Sequence, residues 1–197
     1  EDIHSFVERQ LVARIGDAGR RLHTGRSRNE QVSVDLRLYL RRRVPLLQAG
    51  LRAAIAAFVD QAERAGDALM PSYTHLRRAM PVLVSHYLLS HAAALKRDHE
   101  RLEQAREEAN ALPLGSGAIA GTGYAVDTSA LAARLGFAKV VPNSMDASSD
   151  RDFAATFLYA TSLAMVHLSR IAEDLLETMG RLFGPLGMKD TTFYLSE

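Results

Sequence analysis

Leu36, Leu40, Val44, Leu47, Leu51, Ile55, Phe58 and Ala62 follow one another at steps of four and three residues. Side chains at that spacing share one stripe of an α-helix, whereas a strand with its period of two would scatter them over both faces. The stripe predicts a helix from near Ser27 to about Ala65, closed by Gly66 and Asp67. So long a stripe is buried only against other long helices. Pro45 falls inside it, and a missing N–H with a bulky ring predicts a kink or short break there.

Partners of similar length are present. Pro81 suits the first turn of a helix running to about Asn110, in which Leu88, Leu95 and Leu102 are spaced by sevens. A last long helix is expected from near Ser149, with Phe153, Phe157, Ala160, Ala164, Leu168, Ile171, Leu175 and Leu182 as its buried stripe and Gly184-Pro185 as its end. At the front, Ile3, Val7, Leu11 and Ile15 recur every four residues and predict a first helix, ended by Gly16 and Gly19. Asp127 is placed to cap a short helix that Gly136 stops. Residues 68–76 and 142–150 read as loops, and no segment shows strand alternation. The expected fold class is therefore all-α, an elongated bundle of long helices. Residues 1–26 read as the end of an N-terminal helical region, 27–187 as an incomplete central long-helix bundle domain and 188–197 as an unassigned tail. Apolar seams longer than three helices can cover for one another predict self-association, with several copies sharing a core.

Composition narrows the function. Of 197 residues, 47% are hydrophobic, enough for a buried core. Lys and Arg number 24 against 23 Asp and Glu, so no basic footprint for nucleic acid or a membrane surface is present. There is no cysteine, hence no disulfide framework and no thiolate metal site. The seven histidines form no metal-binding pattern, and no metal site is expected. His86, His91 and His167 fall on helices and read as packing or hydrogen-bonding residues, and His99 as a solvated one. His75 stands apart, in a polar stretch beside Tyr73 and Thr74.

The densest group of donors is Leu22-His23-Thr24-Gly25-Arg26-Ser27-Arg28-Asn29-Glu30-Gln31. A helix starting at Ser27 would gather backbone N–H groups, arginines and an amide at one point, which suits a carboxylate; the plain alternative is a capped helix start. The run Arg41-Arg42-Arg43 reads as a solvated helix face. The small-residue stretch from Pro113 to Gly123 reads either as a backbone nest for an anion or as a tight packing point; no preceding strand supports a dinucleotide fingerprint.

Glu1-Asp2-Ile3-His4, the 22–31 block, Met70-Pro71-Ser72-Tyr73-Thr74-His75-Leu76, Pro113-Leu114-Gly115-Ser116-Gly117, and Asn143-Ser144-Met145-Asp146 with Ser149-Asp150-Arg151-Asp152-Phe153 occur in that order. Together they resemble the argininosuccinate lyases of the fumarase/aspartase superfamily. The resemblance implies reversible elimination of fumarate from argininosuccinate to give arginine, in arginine biosynthesis, without a cofactor. It implies a cytoplasmic homotetramer whose active sites are shared between subunits. By the same resemblance His75 is catalytic, in proton transfer or in orienting the group that transfers it. Arg28, Asn29, Thr74 and Arg151 bind substrate, and Asp2 and His4 lie near the site with less defined roles. For Arg151 the structural alternative is an ion pair with Asp150 or Asp152.

The chain departs from the family pattern in places. Glu30 stands where Asp is usual, and Arg77 and Met80 where amides are usual. After Leu182 the family's loop with its catalytic serine is expected but does not appear. The chain thus reads as an internal piece of a lyase, inactive alone. The alternatives are a non-catalytic helical scaffold that resembles the lyase, or a sister lyase such as adenylosuccinate lyase; the Gly-Arg-Ser-Arg-Asn and Asp-Arg-Asp-Phe blocks argue against the sister.

Overall fold

The computed structural model describes residues 2–75, 77–178 and 180. The expected helix end at Leu182 to Pro185 and the 188–197 tail lie outside the described residues. In chain order the elements are α1 (Ile3–Ile15), α2 (Asp17–Arg21), α3 (Arg28–Ala65), β1 (Leu69–Thr74), β2 (Arg77–Leu83), α4 (Val84–Glu108), β3 (Ala111–Leu112), α5 (Thr128–Leu135), β4 (Lys139–Val140), α6 (Ser144–Ser149) and α7 (Asp152–Thr178). The described chain is mainly helical, as the apolar periodicity requires. It divides into two compact units, Glu1–Val44 with Ala105–Ala155, and Pro45–Gln104 with Thr156–Glu197.

In the first unit, the early part of α3 buries Val34, Leu40 and Val44. Val34 packs in one cluster with Leu112, Leu114, Ala132 and Phe137. Parallel pairing of Ala111 with Lys139 and of Leu112 with Val140 places β3 beside β4. Helix α5 is specified locally at both ends: the Asp127 carboxylate accepts the Ala130 N–H, and Gly136 takes the left-handed conformation at φ 71°. Residues 144–149, expected within a loop, form α6. Asn143 caps it by accepting the Met145 and Asp146 N–H groups, a signal carried by a single residue and easily masked by its polar neighbours.

Two expectations for the front of the chain change. Gly16 ends α1, but Gly19 lies inside α2, where it is buried against the backbone of Leu11 and Val12. The apolar residues of α1 do not form a buried face: Ile3, Val7 and Ile15 are exposed, and α1 holds no buried residue.

In the second unit the spacing by sevens in α4 is borne out, with Leu88, Leu95 and Leu102 all buried. The stripe of α7 buries Ala160, Ala164 and Ile171 but leaves Leu168 exposed, and Leu47 of the α3 stripe is exposed as well. Helix α3 is unbroken through Pro45. The apolar positions on either side keep the helix worth forming despite one missing hydrogen bond.

The largest correction concerns residues 68–83. They form an antiparallel hairpin, β1 with β2, in place of the expected loop and helix start. Pro81 is therefore in a strand, opposite Pro71. A two-stranded sheet has only edge strands, so a proline without an N–H is tolerated in each. The register slips between Pro71 and Tyr73, where the Ser72 hydroxyl donates to the Met80 carbonyl. This irregularity removes the alternation that would have marked a strand.

Candidate active site

The head of α3 is a closed cap. The Ser27 hydroxyl accepts the Asn29 N–H at 3.2 Å, and the Glu30 carboxylate accepts the Ser27 N–H at 3.0 Å. These reciprocal contacts between the cap residue and a glutamate three residues on form a capping box. Arg28 leaves the cap toward α1, where its guanidinium donates to Asp2 and to the Ser5 hydroxyl, each at 3.2 Å. Asp2 also caps α1 by accepting the Ser5 N–H at 2.9 Å. That backbone bond, with Arg28 close by, holds the Asp2 carboxyl below the usual carboxylate range. His23 contacts Glu8 at 2.8 Å, so the 22–31 block is tied twice to α1. Burial pushes the Asp35 carboxyl up, while His4 and Arg26 pull it back. His4 thus lies within electrostatic reach of Asp35, and Asn29, in the 22–31 block, is exposed.

Glu30 itself is fully buried. Its second oxygen accepts the Gly115 N–H at 2.8 Å, the Gly117 N–H at 2.9 Å and the Ser116 hydroxyl at 3.3 Å. Of the two sequence readings for the small-residue stretch, the structure has the anion nest, and the anion is the chain's own carboxylate. Gly117 is required there: at φ 59°, a Cβ would sit 2.3 Å from the Gly121 carbonyl oxygen.

One helical repeat further on, Arg37 is 1% exposed. It ion-pairs with Asp150, donates to the Glu108 carbonyl at 3.0 Å and lies 4.2 Å over the Phe153 ring. Burial works against its charge, and Asp150 works for it. The other Asp150 oxygen accepts the Asp152 N–H at 2.8 Å, fixing the elbow between α6 and α7. Arg151 sits on that elbow. It makes neither of the ion pairs that were its structural alternative, and donates instead to the Asp150 carbonyl at 2.6 Å and more weakly to that of Ser148. Arg41 also departs from expectation: it is stacked 4.4 Å over Phe137 and donates to the Leu135 and Gly136 carbonyls at the end of α5, so it is no solvated charge.

Thr74 and His75 belong to the second unit, at the tip of the hairpin. Thr74 pairs with Arg77, and His75 opens the turn between them at φ 50°, the one non-glycine residue with positive φ among those described. Both are exposed. This is the left-handed region, uncommon for a non-glycine residue though histidine is among the types enriched there. Elsewhere in this unit, His167 meets buried Asp98 at 2.7 Å, and His91 packs against Phe58 and Tyr87, matching the packing or hydrogen-bonding role expected of both. His99 is not a freely solvated residue, since it contacts the Arg52 guanidinium at 3.0 Å.

The site residues therefore fall into two groups. Asp2 and Arg28 are in direct contact, with His4 and Asn29 beside them, and Arg151 lies in the same unit on its own elbow; Thr74 and His75 share the hairpin tip. Sequence reasoning missed Arg37 and the work done by Glu30. Part of their signal was present: Glu30, Ser33, Arg37 and Arg41 recur at steps of three and four alongside the start of the apolar stripe, so these polar residues share one helix face.

The head of α3 is thus a capped helix start whose glutamate also fills the 115–117 nest, with the Arg28 guanidinium held beside it by Asp2 and Ser5. A family model described as Lyase matches residues 1–189, and the chain belongs to that lyase family. It is 52% identical to an argininosuccinate lyase of Roseiflexus castenholzii over 190 residues, 96% of this chain and 42% of that protein. An argininosuccinate lyase of Thiobacillus denitrificans is 50% identical, with 96% and 41% covered. The chain thus spans about two fifths of the length of these relatives. Among solved structures, an EDDS lyase in complex with formate is similar at a TM-score of 0.82 and 28% identity, over 87% of this chain and 35% of that one. A fumarate lyase:delta crystallin from Brucella melitensis, bound to cobalt, is similar at 0.72 and 27%, over 79% and 35%.

Proposed function

We propose that the protein carrying this chain is an argininosuccinate lyase, eliminating fumarate from argininosuccinate to leave arginine. What carries the reading is the likeness at 52% identity over 96% of the chain, together with the family match over residues 1–189, which takes in every motif block. In this reaction a proton leaves the carbon next to a carboxylate. The electron pair forms the double bond of fumarate, the carbon–nitrogen bond breaks, and the departing guanidino nitrogen takes up a proton. Negative charge builds on the carboxylate as the proton leaves, so donors must be aimed there.

Arg28 and Asn29 supply such donors from a stiff helix head, with Asp2 and Ser5 holding the Arg28 guanidinium. Thr74 binds the fumarate portion, and His75 transfers the proton or orients the group that does. Arg151 adds a cation for a substrate with three carboxylates, and Asp2 and His4 complete the surroundings of Arg28. In this reading the enzyme is a cytoplasmic homotetramer whose subunits share active sites, so Arg28 and His75 need not meet within one chain. No described helix is long and apolar enough to cross a membrane.

The test is fumarate release from argininosuccinate, followed by absorbance on the whole protein with His75→Asn beside it. The variant should lose about a hundredfold or more in kcat. Full activity in the variant would remove the role given to His75. Fumarate from adenylosuccinate and none from argininosuccinate would overturn the substrate.

A further inference from the structure

We propose that Glu30 is a positioning residue: it joins the head of α3 to the 115–117 loop, and so fixes the direction in which Arg28 and Asn29 meet a substrate carboxylate. The substrate part rests on the lyase reading above; the geometry rests on the contacts of Glu30 alone.

The two oxygens do different work. One accepts the Ser27 N–H and closes the cap from which Arg28 and Asn29 project; the other accepts the Gly115 and Gly117 N–H groups and the Ser116 hydroxyl. A fully buried carboxylate with four donors is satisfied and has little freedom to rotate. The loop cannot turn away easily either, because Gly115 and Gly117 hold positive φ values of 101° and 59° and converge on one oxygen. Arg28 and Asn29 are the first residues of α3, so a tilt of this turn moves both side chains together. A displacement of about 1 Å at a carboxylate-binding group stretches its charge-assisted hydrogen bonds beyond their useful range, so the substrate is held less tightly. The glutamate has the reach for both tasks. Aspartate, the residue usual at this place in the family, keeps the charge but is one methylene shorter, so the loop must draw closer to the helix head for it to reach both. Glutamine keeps the length but turns one acceptor into a donor, so either the cap or the nest loses its partner.

The experiment compares the whole protein with Glu30→Gln and Glu30→Asp. It measures steady-state fumarate release, hydrogen exchange at the Ser27, Gly115 and Gly117 amides, and Tm. Glu30→Gln should exchange faster at Ser27 or at the loop glycines and raise KM by about tenfold, with kcat changed by less than about threefold. Glu30→Asp should fall between it and the wild type. A lower Tm with KM unchanged would overturn the proposal, since Glu30 would then only stabilise the fold. If Glu30→Gln does not fold, Glu30→Asp decides, and unchanged KM despite faster exchange overturns it. No fumarate from the wild-type protein would overturn the lyase reading instead, and with it the substrate part of the proposal; amide exchange separates the cases, because it reports the bridge whether or not the enzyme turns over.

Discussion

Over Arg28 to Val44, helix α3 buries Glu30, Ser33 and Arg37 beside Val34 and Leu40; beyond Pro45 it buries Leu51 and Ala62 with a single polar residue, Gln48. The targets differ as well. In the first unit the buried and half-buried charges all reach backbone, even where a side chain also answers them: Glu30 the N–H groups of Gly115 and Gly117, Arg37 the Glu108 carbonyl besides the Asp150 carboxylate, Arg41 the carbonyls that end α5. In the second unit, buried Asp98 pairs with side chains, those of His167 and Arg101. Loops expose backbone groups that need directional partners, whereas helices have already satisfied theirs and ask only for apolar cover. In the first unit such directional bonds hold the Arg28 guanidinium, through Asp2 and Ser5, and Arg151, through the carbonyls of Ser148 and Asp150.

Removing a strut should break the contrast most visibly. Arg37→Leu leaves the Asp150 carboxylate without its cation and the Glu108 carbonyl without its donor, and should cost about 4 kcal/mol in urea unfolding. Adding Asp150→Asn should recover a large part of that, since the amide oxygen still accepts the Asp152 N–H and no charge is stranded. Equal cost in the single and double variants would mean that the pair does not act as a strut.

The apolar counterpart is Leu95→Ala. Leu95 is 0% exposed, and the truncation should cost about 3 kcal/mol by lost burial and a residual cavity. Here no charge-neutralising second substitution should help. A loss below about 1 kcal/mol would show that the second unit does not depend on packing in this way.

The smallest effect is a pH slope. Burial against Phe58 and Tyr87 holds His91 below its ordinary value of 6.5; Asp174 partly opposes this and Arg170 adds to it. Between the lowered folded value and 6.5 the unfolded chain binds more protons, so this stabilisation is complete above 6.5 and is lost as the pH falls toward the folded value. Replacing His91 by Gln should flatten the stability profile across that window. An unchanged slope would place the titration elsewhere.

Much of the fold was legible because its signals are local. Asp127 and Gly136 bracket α5 whatever surrounds them, and the spacing by sevens in α4 names Leu88, Leu95 and Leu102 as buried before any partner is known. The hairpin was not legible: β1 exists only because β2 pairs with it, and two prolines and a bulge erase the alternation that would have announced either strand. The site divides in the same way. The motif blocks mark Arg28, Asn29, Thr74 and His75 by residue type and order, but the positive φ of His75 and the direction of Arg28 depend on the turn and on α1.

By itself, then, the sequence determined the long helices, the caps of α5 and the ordered set of polar blocks, since periodicity and capping act within a few residues along the chain. Only the tertiary structure decided which charges are buried and what answers them. Glu30 reads in sequence as one more acid in a polar block; it becomes a bridge because a loop 85 residues further on turns its amides toward it. Such pairing is fixed by the distance between groups in space, and residue spacing along the chain does not contain it.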